Sequence, residues 1–245
     1  MLKTAIPGVA TVRNPKPALG GVDAESLDSA RQRASMEIRT RYRAVTAEDF
    51  EFLAGEANPR VARVRCVAPE GNGDGTARVH IVPRVEPPDR KLELVELTPE
   101  DELLKEVADY LDERRLIGTR VELLPGKLRG VSVVVNLQAQ PRADLGRVEE
   151  DVAYALYTYL NPLVGGSLDG PGSGWEFGRA LNQGELFGIV HSIEGVEFVK
   201  ILRVYETDLK TGKQDSKPAG THIVLEGDEL IASGTHIVKA EHPEI

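Results

Sequence analysis

Cysteine is almost missing from this chain: Cys66 is the only one in 245 residues. No internal disulfide can form, so a stapled scaffold of the kind used by small secreted domains is excluded and a reducing compartment fits. Long apolar runs are missing too. No stretch reaches the roughly 18 apolar residues of a membrane span, and residues 1–12 (MLKTAIPGVATV) lack the apolar run of a signal peptide. The expectation is a soluble protein that folds in the cytoplasm without Sec export. Positive charge is in deficit as well, with a net charge of −9. A duplex carrying about one negative charge per 1.7 Å would be repelled by the chain as a whole, which argues against nucleic acid as a partner.

Metal and nucleophile patterns are equally thin. The five histidines, at 80, 191, 222, 236 and 242, include no pair at the spacing of about three to five residues used by zinc sites. Cys66 alternates with Arg63 and Arg65 along an apparent strand, where a small buried thiol is the common outcome. The glycine-rich stretch 165–178 (GGSLDGPGSGWEFG) looks superficially like a phosphate cradle. It contains no lysine and follows a helix rather than a strand, so the P-loop requirement fails. No catalytic, metal or cofactor residue is assigned, and the expectation is a structural protein, not an enzyme.

What is present is enough to build a core: 41% hydrophobic and 28% charged residues are ordinary for a globular protein of this length. Pro7, Pro15, Pro17, Gly20 and Gly21 break regular structure over residues 1–21 and predict an extended arm. Asp23 then caps a helix whose stripe is Leu27, Ala30, Ala34 and Ile38. Thr46 caps a second, with Phe50, Leu53, Ala54 and Ala57 inward, stopped by Asn58-Pro59. Alternation predicts strands over 61–67 and 76–82 around a flexible glycine loop at 71–75. A helix follows over 99–115, with Leu103, Leu104, Val107 and Leu111 on one face. Strands are expected at 119–124 and 130–139, with the Pro125-Gly126 turn between them. A helix carrying Leu145, Val148, Val152, Leu156 and Tyr159 ends at Asn161-Pro162. Leu186, Val190 and Ile193 mark another short helix, 196–205 a strong strand, and the last strands lie near 221–225, 229–232 and 235–239.

Two stretches share an order. Residues 48–67 and 184–204 each run from a short helix through a tight break into a strand beginning Val-x-x-Val, and each is followed by a return strand with His-Ile-Val, at 80–82 and 222–224. The pattern reads either as a duplicated module or as an ordinary pair of helix-strand junctions. In both cases the expected fold class is α+β, with helices on one side of mostly antiparallel sheet. The domains expected are an N-terminal arm and assembly helix (1–46), a first α+β subdomain (47–128) and a second (129–245).

Two segments are candidates for partner contact. Arg31, Arg33, Arg39, Arg41 and Arg43 face a single acid, Glu37, between positions 31 and 43, a local charge of 5 − 1 = +4. Either an acidic protein partner meets Arg31, Arg39, Arg41 and Arg43 as bidentate forks, or the arginines pair with the chain's own carboxylates. Trp175 and Phe177 in the glycine-rich loop either anchor a neighbour or plug their own core.

Residues 6–65 carry I-P-x-V-A-x-V-x-N-P, then G-G-V-D-A-E-S-L, then R-T-R-Y-R-A-V-T-A-E-D-F-E, then P-R-V-A-R-V-R-C. This ordered set resembles the baseplate J-like family of contractile tails, the wedge proteins of phage baseplates and phage-like injection machines. Gly174-Trp175-Glu176-Phe177-Gly178-Arg179 and, after a helix, Gly195-Val196-Glu197-Phe198-Val199 look like that family's C-terminal half. Members carry more sequence before I-P-x-V-A, so the likeness is largely to the family's C-terminal portion. The resemblance implies a nonenzymatic wedge subunit that is made in the cytoplasm, pairs with itself or with related wedge subunits, and repeats around a hub and spike. Such a subunit ends in a phage tail or injection particle, with sheath proteins as further partners and no membrane span. From the residues alone, a small-molecule-binding regulatory α+β module stays open as the alternative.

Overall fold

The computed structural model describes residues 26–68, 75–168 and 170–243. The expected extended arm, its Asp23 cap and most of the 71–75 loop lie outside the described residues. The chain divides into two units, Met1–Arg41 and Tyr42–Ile245. The first carries one described helix, α1 (Leu27–Thr40). Leu27 and Ile38, the two largest members of its apolar stripe, are 68% and 77% exposed. At the end of the helix Arg41 and Tyr42 both take left-handed backbone angles, φ 48° and 57°, which L side chains adopt only at a cost of about 1–2 kcal/mol per residue.

The second unit begins with α2 (Ala47–Ala57) and β1 (Val61–Val67). The start of α2 is set by a reciprocal capping box: Asp49 N–H donates to Thr46 Oγ1 (3.2 Å) and Thr46 N–H to the Asp49 carboxylate (2.8 Å). Its end is set by Pro59, which pushes Asn58 into an extended conformation. β2 (Thr76–Pro83) pairs antiparallel with β1, and β3 (Arg120–Pro125) pairs with the other edge of β2. That second pairing is parallel, because α3 (Asp101–Asp112) carries the chain back across the sheet before β3 begins. Phe50, Leu53, Val79, Ile81, Leu103, Val107 and Leu111 form the core beneath this sheet. Burying the three large α3 residues stabilises by on the order of 5–9 kcal/mol before entropy is counted.

The larger sheet is organised on β4 (Lys127–Ala139). α4 (Leu145–Tyr159) lies on its inner face, so Val131, Val133, Val135 and Leu137 meet Val148, Val152 and Leu156 in one core. A two-residue strand β5 (Leu181–Asn182), α5 (Gln183–Ser192) and β6 (Val196–Glu206) follow. β6 runs antiparallel along one edge of β4, with Val133 opposite Val204 and Val135 opposite Leu202. The other edge is taken by two short parallel strands in succession: β8 (Glu229–Ser233) beside residues 127–131 and β9 (Ile237–Glu241) beside residues 134–138.

The α+β class is as the sequence indicates, but the expectation of mostly antiparallel sheet is corrected. Parallel pairs occur in both large sheets, since α3 in one case and the long route from β4 through β6 in the other allow the strand to return in the same direction. The repeated unit is real only as far as α2–β1 and α5–β6. In the first copy the His-Ile-Val strand pairs with the strand it follows, whereas β7 (His222–Ile223) pairs with β5 instead. β6 has its antiparallel partner already, in the thirteen-residue β4.

A third His-Ile-Val, at 236–238, explains how β4 tolerates the break between β8 and β9. Val133 falls between the two paired stretches, and its N–H donates to His236 Nδ1 (3.1 Å). Since Nδ1 accepts, the ring proton is on Nε2, 3.3 Å from Ser233 Oγ, which in turn donates to Leu160 O (3.1 Å). The imidazole lies against the Tyr157 ring, 4.5 Å between centroids and tilted by 36°. Burial, helped by the Lys91 charge, lowers its pKa to about 3. His236 is a neutral strut completing a strand ladder.

Candidate interaction site

The chain leading from α4 into the glycine-rich stretch is held at Asn161. Asn161, buried, accepts from the N–H groups of Leu163 and Val164 and donates through Nδ2 to Pro88 O (2.7 Å). The stretch then closes around an arginine from β1. Arg63 donates to three carbonyl oxygens, of Pro162 (3.1 Å), Ser173 (2.9 Å) and Trp175 (2.8 Å). Gly174 is required there for two reasons: its φ is 94°, and a Cβ would overlap the Arg63 guanidinium and the Pro162 carbonyl. All three direct acceptors are neutral, and burial lowers the Arg63 pKa, partly offset by Glu176.

Trp175 stands beside this socket and is fully buried. Its Nε1–H donates to Arg179 O (2.9 Å), its ring meets Tyr159 edge-on at 5.4 Å, and the Arg179 guanidinium lies 4.6 Å over it. Arg179 also donates to Gly166 O (2.7 Å) and Glu185 Oε1 (3.1 Å), while Tyr159 Oη donates to Glu185 Oε2 (2.7 Å). Burial and the Glu185 carboxylate push the Tyr159 phenol well above its usual range. The expectation that Trp175 faces a neighbour is therefore corrected: it plugs its own core, because its indole finds both an apolar enclosure and a hydrogen-bond acceptor there. Phe177 is half-buried, with Arg63 and Arg65 at 5.3 and 5.9 Å from its ring. The loop is an internal clamp between β1 and the larger sheet.

Arg31, Arg39 and Arg41 are exposed in the N-terminal unit, and Arg43 is exposed at the start of the second. Arg31 lies 3.4 Å from Asp28 with both side chains largely in solvent, and Arg33 pairs with Glu37. The exposed Arg31–Asp28 pair contributes little to stability.

Sequence patterns did not single out two further surfaces. The outer face of the larger sheet presents Phe198, Ile201 and Ile237, all partly exposed. Strand alternation alone puts Phe198 and Ile201 on opposite faces; the bulge at Lys200 brings them to the same one. The other is a groove of about 390 Å³ between α4 and α5, with Tyr154, Ala155, Ile189 and Leu168 in its walls and Asp151 and Glu194 at its rim. Leu168 is 63% and Tyr154 52% exposed, and Tyr154 Oη donates to Asp89 (2.9 Å). Among the described residues no group of three or more His, Cys, Asp or Glu is placed to hold a metal, and no helix is long and apolar enough to cross a membrane.

No protein-family model and no curated protein matches the chain. Among solved structures it is similar to a chain of the anti-feeding prophage baseplate, solved by cryo-electron microscopy with sixfold symmetry, at a TM-score of 0.63 and 15% sequence identity. The match covers 89% of this chain and 43% of that one, so the protein has the fold of less than half of a baseplate chain.

Proposed function

We propose that the protein is a nonenzymatic structural subunit of a contractile-injection baseplate, a wedge protein of the baseplate J-like type. The observation that carries this is the fold correspondence with the anti-feeding prophage baseplate chain over 89% of the sequence. The ordered motifs of residues 6–65 and 174–199 support the same family. The geometry is compatible with such a role: the Arg63 clamp and the Trp175 network join the segments proposed as subdomains, 47–128 and 129–245, into a frame. Arg31, Arg39, Arg41 and Arg43 remain at the surface as candidate contacts to acidic partners.

On this reading the chain folds in the cytoplasm, meets other wedge subunits and the hub, and ends in a phage tail or injection particle. Affinity purification of the tagged chain from cells producing the particle should recover other tail proteins in a fixed ratio. Recovery of the chain alone, as a monomer, from cells that make intact particles would sink the proposal.

A further inference from the structure

The inner face of the larger sheet is covered by α4, whereas its outer face carries no covering layer within the second unit. Strand register sets three rows of side chains across that outer face: Arg203, Val134 and Ile237 in one, Ile201, Asn136 and Lys239 in the next, and Phe198, Gln138 and Glu241 in the third. Phe198, Ile201 and Ile237 are 44%, 40% and 45% exposed, where a sheet face turned to solvent is normally polar. The charges around them are unevenly committed. Lys200 pairs with Glu241 across β4 (3.1 Å), and Glu197 accepts from Gln138 Nε2 (2.8 Å). Arg203 and Lys239 are exposed and have no carboxylate partner among the described residues. The face therefore joins apolar side chains to a surplus of cations, 3 − 2 = +1 for Lys200, Arg203 and Lys239 against Glu197 and Glu241, on a chain whose net charge is −9.

We infer that this outer face docks an acidic amphipathic helix of a partner protein, whose apolar stripe seats on Val134, Phe198, Ile201 and Ile237 and whose flanking carboxylates meet Arg203 and Lys239. The inference stands on this surface alone and is independent of the baseplate role. Three strands about 4.8 Å apart span about 10 Å, the width of one helix, and the distance from position 134 to 138 is about 14 Å, two to three helical turns. A helix is the layer that sheets of this class use to bury an apolar face, as α4 does on the other side. The acidic character follows from the two uncommitted cations: a carboxylate gains a charge-assisted bond there, whereas an ammonium is repelled. A second copy is the poorer match, since a face with a surplus of cations is not its own complement. Aromatic and arginine side chains are also the types enriched at protein interfaces.

The test is binding of labelled helical peptides of about eighteen residues to the full chain, followed by fluorescence anisotropy at low salt. Each peptide carries a leucine stripe, flanked by glutamates in one and by lysines in the other. The glutamate peptide should bind about tenfold or more tightly than the lysine peptide, and than a scrambled glutamate peptide with no stripe. Arg203→Glu/Lys239→Glu should weaken the glutamate peptide by about tenfold or more and strengthen the lysine peptide. Ile201→Asp should weaken both, while Arg120→Glu, exposed on β3 of the smaller sheet, should change neither. Far-UV circular dichroism checks that each variant folds. No binding by wild type, equal binding of the glutamate and lysine peptides, or indifference to Arg203→Glu/Lys239→Glu would each overturn the inference. So would wild-type self-association in sedimentation velocity that Ile201→Asp abolishes, which assigns the face to a second copy. Co-sedimentation with phosphatidylglycerol vesicles that Arg203→Glu/Lys239→Glu abolishes would overturn it too, by assigning the face to lipid.

Discussion

Lowering the pH from 7 to 5 should destabilise this protein through one residue, His236. Its Nδ1 accepts from Val133 N–H inside the larger sheet, and a proton there would point at another donor. The native pKa is lowered to about 3, against a reference value of 6.5. The unfolded state therefore binds more protons than the native state between these values. Stability is intact above about pH 6.5 and falls as the pH drops through that point, by up to about 1.4 kcal/mol per unit until the native pKa is reached. Between pH 7 and 5 the loss comes to about 2 kcal/mol, and it hardly depends on how far below 5 the native value lies. His236→Asn isolates this effect: the amide oxygen can accept from Val133 N–H but does not titrate. Urea unfolding of both proteins at the two pH values should show wild type losing about 2 kcal/mol more than the variant. Equal losses would refute the assignment of a neutral, buried strut.

Gly174→Ala should cost about 2–4 kcal/mol, as a lowered urea midpoint, because it combines a positive φ with overlap on Arg63; a loss below 1 kcal/mol would mean the loop does not clamp that side chain. Trp175→Ala should destabilise by about 3–5 kcal/mol, whereas Phe177→Ala, at a half-buried site, should cost clearly less; the reverse order in thermal melts would contradict the packing. Arg63→Lys should not rescue the clamp, since an ammonium cannot span three carbonyls set around a planar fork, and its melting temperature should fall close to that of Arg63→Ala. Cys66 is buried, and burial together with Glu51 pushes its pKa up to about 12, so iodoacetamide at pH 8 should leave the native thiol unlabelled by mass spectrometry and label it fully in urea.

Much of the candidate site was invisible in the sequence for one reason. The glycine-rich loop reads as free chain because nothing within it signals that a residue more than 100 positions earlier fills it. With that arginine in place, Gly174 is a steric requirement and Trp175 a core residue. Phe177 and the arginines of α1 were legible as exposed or half-exposed side chains. The Arg63 and Arg65 guanidinium groups beside the Phe177 ring were not, because they come from a strand distant in the chain.

The sequence by itself determined the local elements. Thr46 with Asp49 and Asn58-Pro59 bound α2, the apolar stripes of α3 and α4 select their buried faces, and alternation in β4 sends Val131, Val133, Val135 and Leu137 inward. These rest on periods and caps that act within a few residues. Tertiary structure alone decided the parallel pairings, the different partners of the three His-Ile-Val segments and the burial of Trp175. Each depends on contacts between residues distant in the chain, and the same triplet becomes a central strand, a two-residue edge or a ladder-completing strut according to which backbone groups around it are still unpaired.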